Sequence, residues 1–244
     1  MSIALVTGGN RGLGYATARA LASNGSSVVL AGRDQGQADE SAATLRKEGF
    51  DVQGLALDVT SPDSIKAAVE TVERDHGGLD VLVNNAGILP EATDGSEHDF
   101  ANPVMFETTF ATNVFGAVAV TEAFLPMLRR SPQGRIVNVS STMGSLSDQA
   151  DPSSIYYQSV VPAYQSSKAA LNSVTISLAK TLADTDIKVT SICPGFVQTD
   201  LTPINRDQAP LTADQAAAPV VTAATLPADA ASGTFIDADG PVAW

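Results

Sequence analysis

Three glycines, at positions 8, 12 and 14, constrain this chain more than any other feature. They stand in Thr7-Gly8-Gly9-Asn10-Arg11-Gly12-Leu13-Gly14, directly after an apolar run at 3–7 and at the opening of a helical pattern over 12–24. Gly8 permits a tight turn, Gly12 removes the Cβ that would block a pyrophosphate, and Gly14 lets the helix pack closely on the sheet. Free N–H groups and the positive end of such a helix attract phosphate. The bland alternative is a glycine-rich turn with no ligand. The strand before and the helix after favour a dinucleotide. No Gly-Lys-Ser/Thr follows, so the turn is not a Walker loop.

The rest of the chain repeats this alternation. Runs at 27–31, 52–57, 81–84, 135–140, 188–193 and 233–237 read as strands, several with consecutive apolar residues, as buried parallel strands require. Between them, 36–48, 62–75, 105–129, 163–183 and 212–226 read as helices, with Ser61-Pro62 as a cap followed by a first turn. Such alternation means right-handed βαβ units. We expect an α/β fold over 1–244, a single doubly wound parallel sheet with helices on both faces, binding ligands at the carboxyl ends of its strands. Three stretches resist the pattern. Residues 89–103 read as a surface loop, 141–163 as an extended connection, and 195–211 as a lid over substrate.

Composition narrows the function classes. Lys plus Arg is 14 against 27 Asp plus Glu, a net charge of −13. So acidic a surface disfavours nucleic acid and anionic membranes. No run reaches the roughly 20 apolar residues of a membrane helix. The N-terminus has no basic lead and reads as the start of the fold. A lone cysteine, Cys193, excludes an internal disulfide and fits a cytoplasmic location. The only histidines, His76 and His98, read as surface residues, and no metal site is expected.

The second strand bears on which dinucleotide binds. Its carboxyl end reads Leu30-Ala31-Gly32-Arg33-Asp34, with glycine where an acid commonly holds a free adenosine ribose. Arg11 and Arg33 could bracket a 2′-phosphate, which favours NADP(H). If Asp34 faced the ribose instead, the preference would reverse.

Tyr164-Gln165-Ser166-Ser167-Lys168 opens a helical pattern. Residues four apart share a helix face, so a phenol and an ammonium can meet one ligand. The ammonium is expected to lower the phenol's pKa and make it an acid/base; the alternative is an exposed helix pair. Upstream, Arg135–Val139 ends in Ser140-Ser141, hydroxyls able to bond a carbonyl or simply to cap a turn. Leu82-Val83-Asn84-Asn85-Ala86-Gly87 ends a buried strand in amides and small residues, and Asn113 lies inside an apolar helical pattern, where it needs a partner.

Together these residues resemble the short-chain dehydrogenases/reductases over nearly the whole length. The resemblance rests on Thr7-Gly8-x-x-x-Gly12-x-Gly14, Asn84-Asn85-Ala86-Gly87, Asn113, Ser141, Tyr164-x-x-x-Lys168 and Pro194-Gly195. It implies a Rossmann-type fold and hydride transfer between a nicotinamide and a small carbonyl or alcohol substrate. Tyr164 would be the acid/base, Lys168 would bind the nicotinamide ribose and tune it, Ser141 would orient the substrate oxygen, and Asn113 would hold a relay water. Gly8, Asn10, Arg11, Gly12, Leu13, Gly14 and Arg33 would hold the phosphates and adenosine. Asp58 and Val59 would face the adenine. Asn85, Ala86 and Gly87 would line the cofactor, and Pro194, Gly195, Val197 and Thr199 would flank the nicotinamide. Within the family the chain is most similar to NADPH-dependent carbonyl reductases, on Asn10-Arg11, Arg33 and Trp244. An NAD-dependent alcohol dehydrogenase and a non-catalytic dinucleotide sensor are the alternatives. Tyr164 follows Ser141 by 23 residues, longer than in most members. The insertion is expected to cover a surface used for oligomerisation, which favours a monomer, and Tyr156-Tyr157 to wall the pocket.

Overall fold

The computed structural model describes residues 2–244. Seven parallel strands form one sheet: β1 (Ile3–Val6), β2 (Ser27–Gly32), β3 (Val52–Ala56), β4 (Val81–Asn84), β5 (Arg135–Val139), β6 (Lys188–Ile192) and β7 (Thr234–Ile236), in the order β3-β2-β1-β4-β5-β6-β7. Alternate residues point to opposite faces, so each strand feeds two cores. Val28 and Leu30 pack against α1 (Gly12–Ser23), α2 (Gln35–Lys47) and α9 (Ala213–Ala224). Leu5, Val29 and Ile136 pack against α3 (Pro62–His76), α5 (Ala117–Arg130) and α7 (Pro162–Thr181). The strand order reverses between β1 and β4. The connections that leave their carboxyl ends therefore pass to opposite faces of the sheet, the switch point at which such folds open a ligand crevice.

The expected helix over 105–129 begins earlier and is not uniform. Asn102 caps α4 (Pro103–Phe110) through Val104 N–H, a turn of π-helix spans Ala111–Gly116, and α5 completes a continuous 28-residue run. By length and mean hydropathy alone that run could cross a bilayer, although polar residues such as Glu107, Asn113 and Glu122 interrupt it and half of its most apolar window is buried in the protein. Val120, Phe124, Met127 and Leu128 on α5 fill the core. Four short helical segments lie inside the expected loops: 3-10 turns at Pro90–Thr93 and Thr142–Gly144, α6 (Leu146–Ala150) and α8 (Pro203–Gln208). His76 is half-buried, its Nε2 2.7 Å from Gln53 Oε1.

Candidate active site

The glycine turn has the strained geometry its residues permit. Gly8 and Gly12 take φ values of 61° and 53°, the left-handed region open to glycine. A Cβ on Gly14 would collide with the carbonyl oxygen of Gly8 and the amide of Asn85. Arg11 starts α1 without a side-chain cap, and no acid lies in its first turn. The turn is braced from behind. Thr7 Oγ1 accepts the N–H groups of Asn85 and Ala86 at 3.0 Å, and Asn85 Nδ2 donates to the carbonyls of Thr7 (2.8 Å) and Gly8 (3.1 Å). Asn85 thus fixes the turn's shape rather than offering its amide to a ligand. Asn10 Nδ2 donates to Gln37 Oε1 and Leu13 packs on the core. An uncapped helix end under two left-handed glycines fits a pyrophosphate.

At the end of β2, the carboxylate of Asp34 caps α2, accepting Gln37 N–H at 2.8 Å. It is committed to the helix. Arg11 and Arg33 are exposed. Asp58 accepts from Thr60 N–H (2.9 Å) and Thr60 Oγ1 (2.7 Å); these bonds, with a smaller effect of Arg33, hold its carboxyl below the usual range. Val59 is buried and packs against Gly116.

Tyr164 and Lys168 both lie on α7 and both are buried. Lys168 Nζ stands 5.5 Å from the centre of the Tyr164 ring and donates to the Val139 carbonyl at 2.8 Å. Ser141 follows β5; its Oγ accepts Met143 N–H at 3.1 Å, and its hydroxyl favours the ionised form of the Tyr164 phenol. Asn113, in the π-turn, finds the partner it needs. Its Oδ1 accepts Ile88 N–H (2.9 Å), its Nδ2 donates to Ile88 O (3.0 Å) and to Ser167 Oγ (3.1 Å). A Cβ on Gly87 would lie 3.5 Å from both Asn113 Oδ1 and Lys168 Nζ. Gly87, Asn113, Ser141, Tyr164 and Lys168, taken from four parts of the chain, thus converge at the carboxyl ends of β4 and β5.

The electrostatics differ from the expected pairing. Burial pushes the Tyr164 phenol above its ordinary value, the Cys193 sulfur adds to this, and the Ser141 hydroxyl opposes it. Burial also pushes Lys168 down, to about 8. The ammonium is penalised by the same dry surroundings as the phenolate.

Several supporting groups escaped sequence reading. Ser140 Oγ donates to Asn172 Oδ1 at 2.6 Å, and Asn172 reaches the Gly144 carbonyl. A Cβ on Gly144 would come 2.6 Å from Lys168 Cβ, so glycine there seats the Ser141 turn on α7. Cys193 Sγ accepts from Thr142 N–H (3.2 Å) and Oγ1 (3.1 Å). Glu91 accepts the N–H groups of Ala163 (3.0 Å) and Tyr164 (2.8 Å). The Asp34 cap carries a readable signal, since Gln37 follows it by three residues; Glu91 carries none.

The flanking loops are ordered by local bonds. In 195–211, Gly195 takes φ 82°, Val197 is buried and pairs with Leu211, and Thr199 places its methyl beside Gly12. Tyr156 is half-buried, and its burial raises the phenol's pKa, whereas Tyr157 is exposed. Trp244 stacks on Phe235 at 5.5 Å and its carbonyl accepts from Ser147 N–H and Oγ, bracing α6. The insertion does not cover all of the α4–α5 run: Phe115 and Val118 remain exposed.

A doubly wound parallel sheet with a glycine turn shaped for a pyrophosphate, and a half-buried serine beside a buried Tyr-Lys pair, is the architecture of a nicotinamide-dependent oxidoreductase. Comparison with known proteins agrees. The sequence pattern of the short chain dehydrogenase family matches residues 2–209. The chain is 36% identical over 229 residues to the short-chain dehydrogenase anuI of Penicillium roqueforti, covering 91% of this chain and 88% of that one. It is 33% identical to carbonyl reductase 3 (NADPH) of Rattus norvegicus, covering 93% and 92%. Its fold matches the NADPH-bound carbonyl reductase from chicken fatty liver with a TM-score of 0.85 at 28% identity, over 100% of both chains. The chain belongs to the short chain dehydrogenase family, whose members work with a nicotinamide dinucleotide.

Proposed function

We propose that this protein is an NADPH-dependent carbonyl reductase. The observation that carries the reading is the cluster of Ser141 with the buried Tyr164 and Lys168 beside Gly87 and Asn113. When bound, the reduced nicotinamide supplies a hydride. The residues of this chain do the rest. The hydroxyls of Ser141 and Tyr164 hold the substrate's carbonyl oxygen, and Tyr164 gives that oxygen a proton as the alcohol forms. Burial keeps the phenol protonated, the state a donor needs for reduction. Lys168 holds the nicotinamide ribose, and Asn113 braces the segment that lines it.

Commitment of Asp34 to the α2 cap, with Arg11 and Arg33 exposed, supports NADP(H) over NAD(H). A free guanidinium pair suits a 2′-phosphate. The three loops around the crevice carry exposed apolar side chains: Phe100, Leu146, Ile155, Val160 and Ile204. Such a rim suits a ketone with substantial apolar area. The test is a panel of ketones and aldehydes assayed with NADPH and NADH in parallel by absorbance of the reduced nicotinamide. We expect turnover of apolar ketones with a clear NADPH advantage. No oxidation of either cofactor by any carbonyl would refute the reading, and an NADH advantage would overturn the role of Arg11 and Arg33.

A further inference from the structure

α7 carries the reacting phenol in its first turn, yet its own sequence leaves that turn unfinished. Val161, the residue before the helix, makes no side-chain cap, and no acid occupies the first turn. The first donors of a helix have no intrahelical acceptor. Pro162 has no N–H, and Gln165 N–H reaches Val161 O at 2.9 Å. Ala163 and Tyr164 are left. Both are satisfied by one carboxylate more than 70 positions away: Glu91 Oε1 takes Ala163 N–H and Oε2 takes Tyr164 N–H.

Glu91 sits on the 3-10 turn at Pro90–Thr93, three residues after Ile88. Ile88 is gripped on both backbone groups by Asn113. Asn113 also donates to Ser167 Oγ, which donates to the Tyr164 carbonyl at 2.8 Å. The bonds close into a ring. Tyr164 is held at its N–H by Glu91 and at its C=O through Ser167, and both routes return to Asn113 and the segment after β4 that lines the cofactor crevice. A local cap would have stabilised the helix equally well. A cap from the cofactor segment does more, because it fixes the distance between that segment and the backbone of the proton donor.

We infer that Glu91 is a positioning residue, which ties the backbone of Tyr164 to the 86–93 segment and so sets the phenol against the cofactor. The inference rests on Tyr164 being the proton donor. It is tested with Glu91→Ala, Glu91→Gln, and Glu91→Ala combined with Val161→Ser, which gives α7 a cap of its own. Amide exchange of residues 162–168 is read in the cofactor-free protein, together with Tm, NADPH Kd, kcat and KM. In Glu91→Ala we expect exchange at Ala163 and Tyr164 to accelerate and kcat to fall about tenfold or more, since small misplacements of a reacting group are costly. NADPH Kd and ketone KM should stay within about twofold. The added Val161→Ser should recover Tm and leave kcat low. A kcat close to wild type in Glu91→Ala, or one restored by Val161→Ser, would make Glu91 a mere cap and overturn the inference. Should Glu91→Ala fail to fold, Glu91→Gln carries the test: its amide sets an NH2 donor where one of the two accepting oxygens stood, against a backbone N–H, so a reduced kcat supports the tie and a wild-type kcat overturns it. Exchange needs no substrate. A wild-type protein inactive on every carbonyl would remove the proposed function, while accelerated exchange would still support the tie and unchanged exchange would still refute it.

Discussion

Replacing Lys168 with methionine should stabilise the protein at neutral pH while destroying its activity. The Lys168 ammonium is buried with no carboxylate beside it and a single bond to the Val139 carbonyl. Burial lowers it from 10.5 to about 8, so at pH 7 the folded state carries a charge that the unfolded state holds more cheaply. At about 1.36 kcal/mol per pH unit, that penalty is about 3 kcal/mol. It is present in full below about pH 8 and is relieved as the pH rises towards 10.5, because there the unfolded chain binds the extra proton. Methionine fills a similar volume without the charge, but leaves the Val139 carbonyl short of a donor, at a cost of about 1–3 kcal/mol at any pH. Urea unfolding of wild type and Lys168→Met at pH 7 and above pH 10 tests this. The variant should be more stable at pH 7 by about 1–2 kcal/mol and lose that advantage, or fall below wild type, in the alkaline sample. Groups common to both chains cancel. A stability difference independent of pH would refute the assignment of a desolvated ammonium at this position.

Arg33→Ala should lower kcat/KM with NADPH by about tenfold to a hundredfold, the worth of one charge-assisted bond, and leave the NADH value little changed; parallel initial-rate assays decide it. Gly14→Ala forces a Cβ against the Gly8 carbonyl. It should cost about 1–3 kcal/mol in thermal unfolding and weaken NADPH binding, read by quenching of intrinsic fluorescence.

Alternation of apolar runs and helical patterns made the sheet and its two helix layers legible, because strand and helix periodicities are local. The ends of helices were less so. Asn102-Pro103 and Thr202-Pro203 repeat the cap-and-proline signal of Ser61-Pro62 and start α4 and α8, but short or early turns are hard to separate from loop. The π-turn at Asn113 was hidden because one extra residue barely disturbs an apolar pattern. The candidate site residues were legible from type and spacing, and the structure brings Asn113, Ser141, Tyr164 and Lys168 together. Their electrostatics were not, since whether Lys168 stabilises a phenolate depends on how dry both groups are. Glu91 and Asn172 were invisible for a further reason. Their partners lie far along the chain, and only the packing of loop on helix brings them together.

The most direct test of the account is a single-turnover experiment with Tyr164→Phe. The substitution removes one oxygen and leaves the ring in place. Mixed with NADPH and a ketone that the wild-type enzyme reduces, the variant should bind NADPH as tightly as wild type and form product at least about a hundredfold more slowly, the usual worth of a positioned proton donor. Product formed at the wild-type rate would place the proton donor elsewhere and contradict the account.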